Sequence, residues 1–421
     1  MPPLIVTESP YQFVPPHEGN LWPRMLAGFA TRMIRKRYAI TEVEIRDQDR
    51  LAELLRHGHG ILLAPNHCRM SDPMALQSLS KSLKQPFFVM ASSHLFRASK
   101  FTRFILRRIC AFSIYREGVD RQAIETAIDI LAKGKRPLVM FPEGALSQAN
   151  DRLNALMDGV SFVARSAARK IEKQNAGADS IRQVYIVPVA IRYLFQADIH
   201  ETVDPILSDI EKRLTWRPQP DRSLMERLLK VGEALLGLKE TEYLGLPAKG
   251  KISERLQKLI DAILVPLEQE WLNGRTEISA INRVKELRKA VVPAMIQNAN
   301  NDGEKSVPLS KSELDRRWRQ LQDMELAQAL SLFPEDYVVS KPTVDRFLES
   351  VERIAESLSG EEQVHGPMKV VIRIGEPFAV SAKRDRGADG DPVLNRLEAC
   401  LASMLDELSN ECRPLTNGSK V

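Results

Sequence analysis

Short apolar segments that alternate with amphipathic ones constrain the fold of this chain more than any other feature. The apolar segments are bounded by glycine, proline or charged residues, as buried sheet strands are. Residues 121–133 and 159–170 carry apolar side chains at three- and four-residue spacing, which predicts helices between the strands. The pattern therefore predicts an α/β fold with a mixed, mainly parallel sheet flanked by helices. The predicted strands are residues 60–64, 86–90, 137–141, 185–191 and 370–374.

Between residues 197 and 366 the strand pattern stops and only helical periodicity remains. The predicted helices there are residues 224–236, 253–272, 277–295, 312–332 and 343–358. An apolar segment, VVIRI, then returns at residues 370–374 and is most simply the last strand of the first sheet. The sequence thus predicts a large all-helical insertion before the last strand, and it shows no evident internal repeat. The predicted parts are a leader with a basic helix (1–45), an α/β domain (46–196 plus 367–415) and the insertion (197–366).

Composition limits the class of protein. Of the 421 residues, 43% are hydrophobic and 27% charged, which excludes a polytopic membrane protein and a disordered chain. The first residues lack a basic region followed by an apolar region, so we expect no signal peptide. No run of about 18 uncharged apolar residues occurs, so we expect no spanning helix. Four cysteines without a CxxC pair predict a reducing, cytoplasmic compartment. A net charge of +5 suits an anionic partner.

Two segments combine basic and apolar residues. Residues 21–40 contain five Lys or Arg, no acidic residue, and the aromatic side chains of Trp22 and Phe29. This helix either lies in the headgroup region of an anionic membrane or packs its apolar face on the domain. Residues 96–108 interleave basic and aromatic residues in a similar way and predict a platform for lipid headgroups or phosphates, or a solvated helix face. We expect peripheral association with the inner face of a membrane.

The first cluster of reactive side chains is Asn66-His67-Cys68-Arg69-Met70-Ser71-Asp72, between a predicted strand and a predicted helix. Ligands bind at the carboxyl ends of parallel strands, so this position favours function. A carboxylate five residues after His67 can fix the imidazole tautomer and stabilise the imidazolium. The pair resembles the histidine–carboxylate half of a triad in which the substrate supplies the hydroxyl. The alternative is that Ser71 or Asp72 only caps the helix.

Two further clusters also lie at expected strand ends. Phe141-Pro142-Glu143-Gly144 offers a carboxylate that can accept a hydrogen bond from a substrate hydroxyl or hold a basic neighbour. Its glycine permits close backbone approach; the alternative is a simple turn. Arg116, after Ile114 and Tyr115, offers a bidentate fork for a phosphate.

In this order and at these distances the clusters resemble those of the PlsC-like lysophospholipid and glycerol-phosphate acyltransferases. That family carries an NHxxxxD block, an arginine block, an FPEG block and a proline-bearing strand. The resemblance covers roughly residues 39–195 and resumes at residues 374–377. The matching residues are Asn66, His67 and Asp72; Arg116; Phe141, Pro142, Glu143 and Gly144; and Val187-Pro188-Val189.

The resemblance implies direct transfer of an acyl group from acyl-CoA or acyl-carrier protein to the hydroxyl of a lysophospholipid or glycerol-phosphate-type acceptor. His67 would be the general base and Asp72 its partner, while Arg116, Glu143 and Gly144 would bind the acceptor's headgroup. It implies no cofactor beyond the acyl donor and no metal. The absence of a GxSxG motif agrees with transfer without an acyl-enzyme.

Two departures from the family pattern concern the substrates. Members that act on lysophosphatidate usually read FPEGTRS, whereas Ala145 and Leu146 stand here in place of the threonine and arginine. Arg152 is a candidate to supply the missing charge. Arg69 stands where many members have serine, so the entrance for donor or acceptor differs.

Other functions are less well supported. Residues 245–251 have the spacing of a P-loop, but Ile252 replaces the magnesium-binding Ser or Thr. His57, His59 and His67 lack a completing carboxylate or thiolate for a metal site. No nucleic-acid motif accompanies the basic segments. The remaining alternative is a catalytically inactive lipid-binding or scaffolding protein on the same fold.

Overall fold

The computed structural model describes residues 11–174, 182–295, 309–332, 336–383 and 390–416. The side chains of Arg24, Ala27, Phe29, Ala30 and Thr31 and of Asp336 lie outside this description. The chain divides into two compact units. The α/β unit consists of Phe13–Ala197 and Val364–Cys412, and the helical unit consists mainly of Asp198–Gln363. No helix among the described residues is both long enough and apolar enough to cross a membrane.

One eight-stranded sheet forms the centre of the α/β unit. Its strands, numbered along the chain, are β1 (Ile40–Arg46), β2 (Gly60–Pro65), β3 (Phe88–Ser92), β4 (Ala111–Ile114), β5 (Leu138–Val139), β6 (Val184–Phe195), β7 (Met368–Ile374) and β8 (Phe378–Ala379). Its helices are α1 (Leu21–Tyr38), α2 (Asp49–Arg56), α3 (Asp72–Ser82), α4 (Lys100–Arg108), α5 (Arg121–Lys133), α6 (Gly159–Gln174) and α14 (Pro392–Ser409).

The strand order is β1-β7-β6-β2-β5-β3-β4, with β8 paired to β6. Strands β6, β2, β5, β3 and β4 run parallel, whereas β7 is antiparallel to β6 and parallel to β1. Every residue of β2 is buried, as expected for a central strand covered on both faces. The predicted mixed, mainly parallel sheet is confirmed, and so is the return of the chain to it at β7. The carboxyl ends of five parallel strands consequently meet at one edge.

The helical unit contains α7 (Ile199–Arg213), α8 (Leu224–Leu244), α9 (Ile252–Leu272), α10 (Ala280–Val291), α11 (Lys311–Ser331), α12 (Asp336–Val339) and α13 (Val344–Ser359). Capping residues fix several starts: Ser223, Ser279, Ser310 and Thr343 each accept a hydrogen bond from the first turn of the helix that follows. Within its described residues this unit has no strand.

Successive helix junctions in the helical unit repeat one arrangement of charges. A buried glutamate near the end of one helix accepts two hydrogen bonds from an arginine 15 or 16 residues further on. The same glutamate also accepts a hydrogen bond from the loop residue 8 positions further on, from a backbone N–H at the first two junctions and from a threonine hydroxyl at the third. The pairs are Glu211–Arg227, Glu240–Arg255 and Glu268–Arg283. This corrects the expectation of no internal repeat, which failed because the charged residues recur while the apolar residues between them vary.

Candidate active site

The candidate site lies where β2, β5 and β6 end, at the carboxyl edge of the parallel strands. His67 follows β2 and Asp72 is the first residue of α3. Glu143 lies in the loop after β5. The close approach of these chain segments follows from the sheet order, because β2 lies between β5 and β6.

The imidazole of His67 and the carboxylate of Asp72 are in direct contact. Nδ1 of His67 lies 2.9 Å from Oδ2 of Asp72. The side chain of Asp72 is fully buried, whereas that of His67 is 18% exposed. Nε2 of His67 has no hydrogen-bond partner in the part of the chain that the structure describes. This nitrogen therefore remains available to a substrate.

Asp72 accepts hydrogen bonds on both oxygens. The backbone N–H of Arg69 donates to Oδ2 at 3.0 Å, and the hydroxyl of Tyr193 donates to Oδ1 at 2.7 Å. The thiol of Cys68 also approaches Oδ1, at 3.7 Å. The position of the carboxylate in the first turn of α3 suits its negative charge. The side chain of Ser71 makes no capping hydrogen bond, so the alternative of simple helix caps does not describe this pair.

Glu143 joins two chain segments rather than pointing to solvent. It is 2% exposed. Its Oε1 accepts the backbone N–H of His67 at 2.7 Å, and its Oε2 accepts that of Asn154 at 2.8 Å. Burial raises the pKa of Glu143 to about 8, aided by the nearby charge of Asp72 and opposed by the two backbone donors. The carboxyl group thus sets the position of the His67 backbone.

The residues around Glu143 shape the loop. The ring of Phe141 stacks on that of His67, with centroids 3.9 Å apart. The carbonyl of Pro142 accepts the backbone N–H of Met157 at 2.8 Å. Gly144 has a φ of +65°, and a Cβ there would lie 2.0 Å from the sulfur of Met157. Only glycine adopts this conformation without strain, and a Cβ would also displace the Met157 side chain.

Two asparagines hold the end of β6 beyond the point where β2 stops. The amide of Asn66 donates to the carbonyl of Ile191 at 3.0 Å and accepts its N–H at 2.7 Å. Asn150 makes the same pair of bonds to Tyr193, at 2.8 and 2.9 Å. Both side chains substitute for a neighbouring strand, which satisfies backbone groups that burial would otherwise leave unpaired. Asn66, predicted to bind substrate, is fully buried in this role.

The two predicted phosphate-binding arginines have different surroundings. Arg116 is exposed on the turn after β4, at the same sheet edge as the other strand ends. Arg152 is half-buried, and its Nη1 is buried with no hydrogen-bond partner among the described residues. A buried guanidinium nitrogen without an acceptor is costly, and an anionic ligand would supply one. Both assignments stay predictions.

Several residues of the site were not predicted. Tyr193 binds Asp72, Asn150 binds the strand beside it, and Asn154 binds Glu143. Ser147 donates its N–H to the carbonyl of His67 at 2.8 Å. Their signal in the sequence is weak, because they are ordinary residues for a strand or a turn. Among the described residues, no group of three His, Cys, Asp or Glu side chains is placed to hold a metal ion.

Fold and site together define a class: an α/β domain that presents a histidine–aspartate pair at the carboxyl edge of a mainly parallel sheet. Residues 42–192 match the protein-family model described as Acyltransferase. This part of the chain is accordingly an acyltransferase domain of the PlsC-like family, as the ordered sequence blocks predicted. A search of curated proteins finds no match.

Proposed function

We propose that this protein transfers a fatty acyl group from acyl-CoA or acyl-carrier protein to the hydroxyl of a lysophospholipid or glycerol-phosphate-type acceptor. The acyltransferase domain supports the reaction class. The observation that carries the mechanism is the 2.9 Å contact between Nδ1 of His67 and Asp72, with Nε2 of the same ring open to a substrate.

In the proposed reaction, Nε2 of His67 removes the proton of the acceptor hydroxyl as its oxygen attacks the thioester carbonyl. The new C–O bond forms, the C–S bond breaks, and the imidazolium returns the proton to the departing thiolate. Asp72 holds the proton on Nδ1 and stabilises the positive charge that develops on the ring. No acyl-enzyme is required, because the acceptor itself is the nucleophile.

The test is acyl transfer by purified wild type and His67→Ala. A positioned general base contributes about 10²- to 10⁴-fold, so we expect the variant to lose at least that much turnover. His57→Ala is the matched control, because His57 is exposed at the end of α2 and lies outside the site. Near-normal turnover by His67→Ala would refute the mechanism. Binding of acyl chains without turnover by wild type would instead favour the inactive lipid-binding alternative.

A phosphorylated acceptor is the more specific part of the proposal. Ala145 and Leu146 offer no phosphate ligand, so Arg116 and Arg152 must provide the positive charge. Removing a charge-assisted contact costs about 1.5–3 kcal/mol, so Arg116→Ala should raise the KM for lysophosphatidate about 10-fold or more. The KM for the donor should change little.

Steady-state kinetics with lysophosphatidate and its dephosphorylated monoacylglycerol test this assignment. Arg121→Ala, an exposed arginine at the start of α5, is the control for a general loss of positive charge. Equal use of both acceptors by wild type, or equal effects of Arg116→Ala and Arg121→Ala, would contradict the assignment.

Peripheral membrane binding is proposed from α1 and α4, which share a basic and apolar surface. Trp22 and Phe104 meet edge to face with centroids 5.7 Å apart, and the guanidinium of Arg108 lies 5.0 Å from each ring. Phe101 is 71% exposed and Leu21 is 68% exposed. Aromatic and basic side chains in this arrangement suit the headgroup region of an anionic bilayer.

Sedimentation with anionic liposomes tests the surface. We expect strong binding at low salt and weaker binding at high salt, since surface charges are screened within about 8–10 Å at physiological ionic strength. Phe101→Ala combined with Arg103→Glu should reduce binding, whereas the control Lys170→Glu on α6 should not. Binding that is indifferent to salt and lipid charge would contradict the proposal.

A further inference from the structure

Tyr193 is a buried residue of β6 whose hydroxyl reaches the carboxylate of the site. It lies 2.7 Å from Oδ1 of Asp72, while His67 contacts the other oxygen, Oδ2. The hydroxyl of Ser71 lies 2.8 Å from the same phenolic oxygen. Four side chains thus form one chain of hydrogen bonds, from Ser71 through Tyr193 and Asp72 to His67.

The direction of these hydrogen bonds follows from the number of protons. An ionised carboxylate only accepts, so Tyr193 gives its single hydroxyl proton to Asp72. The phenolic oxygen can then only accept from Ser71, whose hydroxyl is the donor. Burial and the neighbouring Asp72 raise the pKa of Tyr193 well above its ordinary value, which keeps the phenol neutral and able to donate.

The backbone of Tyr193 is fixed on both sides. Asn150 binds its N–H and its carbonyl, and β7 pairs with it on the other side through Val370. The guanidinium of Arg69 lies 5.5 Å from the centre of its ring. A phenol held in this way has little freedom to follow a moving carboxylate, so its hydroxyl is a hydrogen-bond donor in a fixed position.

We propose that Tyr193 is a positioning residue that sets the rotation of the Asp72 carboxylate, so that Oδ2 faces Nδ1 of His67. The expected effect on kcat rests on the proposed acyl transfer. The expected effect on the orientation of Asp72 does not. Without the hydroxyl, Oδ1 of Asp72 would keep only the weak thiol contact with Cys68. The carboxylate could then rotate, and the tautomer of His67 that leaves Nε2 as a base would be held less firmly.

The kinetic test compares Tyr193→Phe with wild type. Loss of a hydrogen bond to a buried charged group predicts a fall in kcat of about 10- to 100-fold. The KM values should stay within about twofold, because the ground-state contacts with substrate are unchanged. Ser71→Ala should lower kcat less, by about threefold, because it removes only the neutral donor behind the phenol. Tyr185→Phe is the matched control: it removes a hydroxyl at the opposite end of β6, where the phenol contacts Gln183.

A spectroscopic test does not depend on turnover. In ¹⁵N-labelled protein the Nδ1–H of His67, assigned by its absence in His67→Ala, should give a signal typical of a strong hydrogen bond in wild type and Tyr185→Phe. In Tyr193→Phe this signal should weaken or shift. Thermal unfolding of each variant checks that the fold persists. Wild-type kcat in Tyr193→Phe, a change in KM alone, or an unchanged Nδ1–H signal would overturn the inference. An inactive wild type with the expected signals would instead refute the proposed function alone.

Discussion

Glutamates are buried in both compact units, but they are stabilised in opposite ways. In the helical unit, Glu240 is fully buried and accepts two hydrogen bonds from the guanidinium of Arg255, at 2.9 and 2.8 Å, which lowers its pKa. In the α/β unit, Glu143 is equally buried but is held by the backbone N–H groups of His67 and Asn154, and its pKa is raised to about 8. The same side chain therefore favours opposite protonation states.

The two kinds of buried glutamate differ in role: those of the helical unit join helices, whereas Glu143 belongs to the candidate site. Burial disfavours an ion unless a counter-ion and hydrogen bonds compensate, and the helical unit supplies both at three successive junctions. The site supplies only neutral donors to Glu143. Strongly shifted carboxyl groups without a cation concentrate at functional sites, where the position of a loop matters more than stability. Here the loop carries His67.

The largest effect is expected from removing one partner of a buried pair in the helical unit. Arg255→Met should lower the free energy of unfolding by about 3–5 kcal/mol, because Glu240 remains buried without its cation. Chemical denaturation followed by circular dichroism would measure this. In the control Arg255→Met/Glu240→Leu both charges are gone, and stability should largely return. A double variant as unstable as the single one would show that packing, not charge, governs this junction.

The second effect concerns Glu143 and has a defined sign. Its folded pKa of about 8 lies above the ordinary value of 4.5, so the associated stability is fully present below pH 4.5 and is lost as pH rises through 8. One proton bound only in the folded state corresponds to a loss of about 2.5 kcal/mol between pH 5.5 and 7.5. Glu143→Gln cannot ionise, so its unfolding free energy should fall less over this range. Parallel pH profiles for the two proteins would refute the shift.

The third effect concerns Asp391 of the α/β unit, whose contribution to stability changes with pH in the opposite direction to that of Glu143. Arg165 donates to both oxygens of buried Asp391 at 2.6 Å and holds the pKa of that carboxyl well below its usual range. This stability is present above the ordinary pKa and is lost as pH falls. Asp391→Asn should cost about 1.5–3 kcal/mol at pH 7 and much less near pH 2. If the cost were the same at both pH values, the ion pair would contribute nothing beyond its hydrogen bonds.

The sequence predicted the sheet where apolar residues dominate a strand and failed where they do not. GILLA and VVIRI were recognised because most of their residues are apolar and buried. By contrast, β1 (ITEVEIR) alternates polar and apolar residues at the edge of the sheet, and its charged residues concealed it. The basic helix at residues 21–40 was placed correctly, and α1 ends at Tyr38. The repeated glutamate–arginine pairs were missed because the apolar residues between the charged ones vary from one junction to the next.

The site divides in the same way. His67 and Asp72 could be paired from their five-residue spacing across a strand-to-helix turn, and the family blocks marked Glu143 and Gly144. Tyr193 could not be found, because its contact with Asp72 spans 121 residues of sequence and depends on β6 lying beside β2. A tyrosine in a strand has no local feature that distinguishes a hydrogen bond to the Asp72 carboxylate from ordinary packing.

The smallest effect is expected from an ion pair whose side chains are both exposed to solvent. Arg213 and Asp209 lie one turn apart on α7, with Nε and Oδ2 separated by 2.8 Å and side chains 52% and 59% exposed. Exposed pairs at this spacing contribute only about 0.3–0.5 kcal/mol, because water screens both charges and the side chains lose freedom when they meet. Arg213→Gln should therefore change the unfolding free energy by no more than about 0.5 kcal/mol, and less at high salt. The N–O distance in this pair resembles those between Arg255 and Glu240, but Asp209 accepts one hydrogen bond where Glu240 accepts two, and both side chains are exposed. A loss of about 2 kcal/mol or more in Arg213→Gln would mean that burial is not what sets the large cost at Arg255, and the comparison between paired and unpaired glutamates would have to rest on local packing instead.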